Sequence, residues 1–125
     1  MKLTCADVLT LITGNLFVSV DRLYALYNGL TNDNLFTHQL PRAFRACEPV
    51  AKAKWPEIAE TMARLVISPE NYFALLQFAR RRWGNEFNLE PIKDWALVDP
   101  LQEAVSMTGA DRVIPVIVEA TSGTD

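Results

Sequence analysis

Leu40-Pro41-Arg42-Ala43-Phe44-Arg45-Ala46-Cys47-Glu48-Pro49-Val50-Ala51-Lys52-Ala53-Lys54-Trp55 is the stretch whose periodicity decides the fold. Leu40, Phe44, Cys47, Ala51 and Trp55 fall within about 80° of arc when each residue turns by about 100°. That is an apolar stripe on one long helix. Pro49 projects to the other side, so a single helix bent at Pro49, convex toward solvent, is expected. If the turn already includes His38, then His38, Arg42, Arg45, Pro49 and Lys52 also share about 80° of arc. The segment therefore reads as a rod, greasy on one flank and cationic on the other.

Toward the N-terminus, Thr4 and Asp7 have the spacing of a capping box, and Cys5, Val8, Leu9 and Ile12 share one face before Gly14. A second helix is expected after Ser19, with the stripe Val20, Leu23, Tyr24, Tyr27 and Gly29 as its terminator. Thr31-Asn32-Asp33-Asn34 is a polar turn.

Toward the C-terminus, Pro56 opens a helix that carries Ile58, Met62, Leu65 and Val66 inward. Ser68-Pro69-Glu70 signals another helix start, for a helix burying Tyr72, Leu75, Leu76, Ala79 and Trp83 and ending at Gly84. Phe87 and Leu89 alternate with polar residues up to Pro91, as in a short extended segment. Asp99-Pro100 opens a short helix that Gly109 closes. Val113 to Val118 is a β-branched run containing Pro115, which suits an edge strand or a ribbon paired with residues 87–92. The fold class expected is mainly α: a compact helical bundle of five to six helices with a small C-terminal β element, α+β being the alternative. One globular domain is expected over residues 1–120, with a flexible tail at 121–125.

Half of the 125 residues are hydrophobic and 22% are charged, a globular balance. The formal net charge of -3 conceals an excess of cations before residue 86 and of anions after it. An acidic total counts against a nucleic-acid binder. Cys5 and Cys47 both lie on apolar positions, which predicts reduced, buried, structural thiols. No signal peptide or membrane span is expected. Arg80-Arg81-Arg82 fans around its helix and suits the negative end of the helix dipole better than a ligand. His38 is the one histidine, and no zinc set, nucleophile elbow or phosphate loop accompanies it. Neither catalytic nor metal-binding residues are assigned, and no cofactor is expected.

Leu35-Phe36-Thr37-His38-Gln39-Leu40-Pro41-Arg42-Ala43, followed by Cys47-Glu48-Pro49 and later by Asp99-Pro100-Leu101-Gln102-Glu103, resembles a family of small uncharacterised proteins of tailed phages and prophages. The resemblance implies a phage accessory protein in the cytoplasm of a bacterial host. It carries no activity over to any residue.

The expected function is non-enzymatic: binding of a host or phage protein, with inhibition of a host defence as one such role. Homodimerisation belongs to the same class. The candidate partner-binding residues are His38, Arg42, Arg45 and Lys52. Two alternatives use the same residues: a nucleic-acid binder with the cations on phosphates, and an enzyme with His38 as acid or base.

Overall fold

Every residue of the first helix from Cys5 to Ile12 is buried, and the molecule is organised around it. The computed structural model describes residues 1–93, 95–97 and 100–108. Its elements run β1 (Lys2–Leu3), α1 (Cys5–Thr13), α2 (Val20–Thr31), a 3-10 turn (Thr37–Gln39), α3 (Leu40–Lys54), α4 (Pro56–Ala63), α5 (Tyr72–Trp83), β2 (Phe87–Asn88) and α6 (Pro100–Thr108). The chain is thus mainly helical, and among the described residues it has one small antiparallel sheet, in which Lys2 pairs with Asn88 and Leu3 with Phe87. No described helix is long and apolar enough to cross a membrane.

The one-faced reading of α1 is too narrow, because α3, α4 and α5 pack around it from several sides. Its polar residues survive burial because each is satisfied. The Thr10 hydroxyl donates to the Ala6 carbonyl at 2.9 Å and accepts from the Phe17 N–H at 3.1 Å. Asp7 closes the expected capping box with Thr4 and also receives Arg22 Nε at 3.0 Å and Nη2 at 2.6 Å. The free Cys5 N–H of the first turn is capped from across the fold by Asn85 Oδ1 at 2.9 Å.

Gly14 ends α1 as expected, with φ of 78°. A Cβ there would stand 3.0 Å from Phe44 Cζ. Gly14→Ala should therefore cost about 2 kcal/mol, combining left-handed strain with displacement of a packed ring. The midpoint of urea unfolding measures it, and an unchanged midpoint would contradict this account.

α3 runs unbroken through Pro49, which is exposed. The proline deprives only a solvent-side carbonyl of its partner, and water can serve that group. Cys47 and Ala51 are fully buried, but Leu40, Phe44 and Trp55 are only partly so. The centre line of the buried face is Gln39, Ala43, Cys47 and Ala51, all at 0% exposure. These positions recur every four residues, and the small side chains after Gln39 let α3 approach α1 closely. Both cysteines are free and buried.

Other expectations need correction. α2 buries Leu26, Tyr27, Leu30 and Thr31, while Val20 is exposed. It passes through Gly29 and ends at Asn32 in the left-handed region. Gly29 instead makes room for the Met1 side chain, whose sulfur would lie 2.7 Å from an added Cβ. α4 stops at Ala63, leaving Leu65 and Val66 exposed. After Ser68-Pro69-Glu70 a turn intervenes: Asn71 Oδ1 accepts from the Ser68 N–H at 2.8 Å, and α5 begins at Tyr72, itself exposed. Gly84 does end α5, at φ of 86°. The described partner of Phe87–Asn88 is the N-terminal strand. Asp99, Gly109, the run 113–118 and the tail 121–125 lie outside the described residues.

Candidate partner-binding surface

The 3-10 turn Thr37–Gln39 delivers the chain into α3. Thr37 does not cap it; its hydroxyl meets the Tyr24 hydroxyl instead. Gln39 performs the closing role, its Oε1 accepting from the Phe36 N–H at 2.8 Å. Its buried amide then donates through Nε2 to Glu103 Oε1 at 2.9 Å.

One turn along α3, Arg42 reaches the same carboxylate. Its Nε donates to Glu103 Oε2 at 2.7 Å and its Nη2 to Oε1 at 3.0 Å, the two-pronged geometry a guanidinium fork suits. Nη1 donates to the Ala96 carbonyl at 3.2 Å. The guanidinium lies 3.7 Å from the centroid of the Trp95 ring, within the range of cation–π attraction. Trp95 is in turn tethered through Nε1 to Asp33 Oδ2 at 2.9 Å. Burial pushes the Glu103 carboxyl upward in pKa, but hydrogen bonds from Arg42 and Gln39 outweigh it, and the group sits below its ordinary value. Glu103 is held here as an anion.

The four residues singled out from sequence therefore do not form one open cationic face. His38 is half-buried beside Phe36, ring centroids 6.1 Å apart. Arg42 is committed to Glu103. Lys52 pairs with Glu48 of its own helix at 2.7 Å. Arg45 is exposed, and among the described residues it makes no ion pair. Arg45→Glu should shift stability by less than about 0.5 kcal/mol. A larger fall in thermal midpoint would reveal a contact of Arg45 beyond those described.

Sequence reading missed Gln39, Trp95, Glu103 and the Asp7–Arg22 pair. Gln39 did leave a signal: it occupies the position of the Ala43, Cys47, Ala51 line one turn earlier, where a polar side chain must have a partner.

At the other end of α3, Lys52 and Glu48 border a concavity of about 300 Å³ that Ile12, Met62, Leu65 and Ile67 also line. A second, of about 200 Å³, lies between Leu16, Phe17, Pro69 and Tyr72. The two share Asn15 and Ile67. Apolar side chains stand in solvent along this segment: Leu16, Leu65, Val66, Tyr72 and Phe73, with Val66 at 83% exposure. Among the described residues, no group of three or more His, Cys, Asp or Glu is placed to hold a metal ion.

Residues 4–61 match the family model described as Domain of unknown function (DUF7736). The match contains the Asp7–Arg22 pair and the Thr37–Arg42 segment, and stops short of Trp95 and Glu103. No curated protein and no solved structure matches the chain at a significant level.

Proposed function

We propose that the chain is a non-enzymatic accessory protein of phage or prophage origin that binds a host or phage protein in the bacterial cytoplasm. Inhibition of a host defence is one role of that kind. The observation that carries the reading is a set of exposed apolar side chains at the twin concavities: Leu16, Leu65 and Tyr72 line them, and exposed Val66 and Phe73 follow Leu65 and Tyr72 in the chain. Exposed apolar side chains beside side-chain-sized hollows are a usual mark of protein contact. The charged side chains that line the hollows, Glu48 and Lys52, are already paired with each other. The hollows therefore suit an apolar anchor of a protein partner better than a charged ligand. The nucleic-acid alternative draws less support, because Arg42 and Lys52 must first leave their carboxylates before meeting phosphate.

A photo-crosslinking residue at Val66, compared with one at exposed Glu90 near the opposite end of α1, tests the reading in host lysate. The expected result is one dominant adduct at position 66 only, lost with Phe73→Asp. Absence of an adduct, or equal adducts at both positions, would overturn it.

A further inference from the structure

We infer that the segment bound at the exposed side of α5 is amphipathic and acidic, its apolar side chains meeting Phe73 and Phe78 and its carboxylates meeting Arg80 and Arg81. The inference rests on the reading of the neighbouring hollows as a protein contact, and adds the chemistry of what binds there.

Leu76 and Ala79 are the buried residues of α5. Its other side stands in solvent, with Phe73 at 59% and Phe78 at 39% exposure and Ala74 exposed between them. Seven residues make nearly two whole turns. Arg80 therefore follows Phe73, and Arg81 follows Ala74, along one side and about 10 Å further on. Tyr72, at the start of the helix, lines the smaller hollow. The surface thus runs from aromatic to cationic, and α5 contains no acidic residue.

The position of the arginines in the last turn suits the helix dipole, but the dipole leaves their hydrogen-bond donors unused. Arg22, Arg42, Arg64 and Arg82 each meet a carboxylate. Among the described residues Arg80 and Arg81 form no such pair. Arg81 is exposed, and Arg80 Nε is buried without a hydrogen-bond acceptor. A cation already stripped of part of its water gains more from an arriving carboxylate than a fully hydrated one. Charge complementarity therefore selects an acidic partner, and the apolar side chains beside it select one that is also amphipathic. Two arginines are a short track for a polyphosphate backbone, and a net charge of -3 opposes both a nucleic acid and an anionic lipid surface.

Selection on the full native chain from a display library of helical peptides supplies the probe. Enriched sequences should carry apolar residues one turn apart and a glutamate or aspartate seven residues from the first of them. By fluorescence anisotropy, the leading peptide should bind Arg81→Glu at least about tenfold more weakly than the native chain, and Phe73→Asp should abolish binding. Arg45→Glu makes the same charge change at an exposed site on α3 and should bind as the native chain does. All three substitutions are at exposed positions, and circular dichroism melts matching the native chain verify that each variant is folded. Replacing the peptide's acids by their amides should erase the difference between native and Arg81→Glu chains. Enrichment without acidic residues, no enriched peptide at all, or equal losses at Arg81 and Arg45 would overturn the inference. So would tighter binding of single-stranded DNA or of phosphatidylserine vesicles than of the peptide, if Phe73→Asp also abolishes it. A Val66 crosslink that persists beside any of these failures leaves the protein-contact reading standing.

Discussion

Asp7→Ala should cost about 3 kcal/mol, the lower end of the range for breaking a buried ion pair. The carboxylate has no solvent exposure and makes bonds that nothing else can replace. It accepts from Arg22 through two nitrogens and from the Thr4 N–H at 2.9 Å. Removing it leaves the Thr4 N–H without its partner at the start of the central helix and strips the pair from Arg22. The Arg22 side chain is 37% exposed and can turn to water, which keeps the loss from the upper end of the range. Because α1 contacts α3, α4 and α5, the loss is global. Urea unfolding should show a lower midpoint with an unchanged slope.

The same pair sets a pH dependence. Burial pushes the Asp7 carboxyl upward, yet the Arg22 and Thr4 hydrogen bonds more than compensate and hold it below its ordinary value. A carboxyl depressed in the folded state stabilises above its unfolded pKa, and that stability is lost as pH falls through the folded value. Native protein should therefore weaken below about pH 4, and Asp7→Asn should flatten that part of the profile. A native profile that stays flat there would show that the pair is energetically silent.

The legible parts of the fold were those written locally. The Thr4–Asp7 capping box, Gly14 and Gly84 each act within a turn of their own helix. The long α3 rod also follows from local spacing, even through Pro49. What failed was anything set by a distant neighbour. The interior Gly29 was misread as a terminator because the Met1 side chain that lies against it is remote in sequence. The core line of α3 was misplaced because Ala43 is too small to look important, although smallness is what close packing requires. The strand pairing of Phe87–Asn88 with Lys2–Leu3 joins the two ends of the helical cluster. No periodicity within either segment specifies that partner.

The polar cluster was half legible for the same reason. His38 and Arg42 were marked by their place on a cationic face, which is a local property. Glu103 and Trp95, which give Arg42 its role, lie more than fifty positions away. An excess of anions after residue 86 hinted that the C-terminal part answers the basic part, and the Arg42–Glu103 pair is one such answer. The charge count carried the sign of the interaction but not its address.

That address yields the largest local effect. Arg42→Glu should release α6 while leaving the remaining helices folded. The substitution sets a second carboxylate against Glu103, whose side chain is only 10% exposed, and the Gln39 amide cannot satisfy both. An unpaired buried charge costs about 3–5 kcal/mol, and release of α6 returns Glu103 to water. Detachment relieves the whole penalty, so the total loss is capped at the docking free energy of α6. Amides at residues 101–105 should then exchange with solvent at rates near those of an unprotected segment, while those of α1 and α3 remain slow. Persistent protection in α6 would mean that the ion pair is not what holds it. The result also determines how the cationic flank must be tested. Reversing Arg42 and Arg45 together would change partner capture by freeing α6, so Arg45→Glu alone reports on the open part of the face.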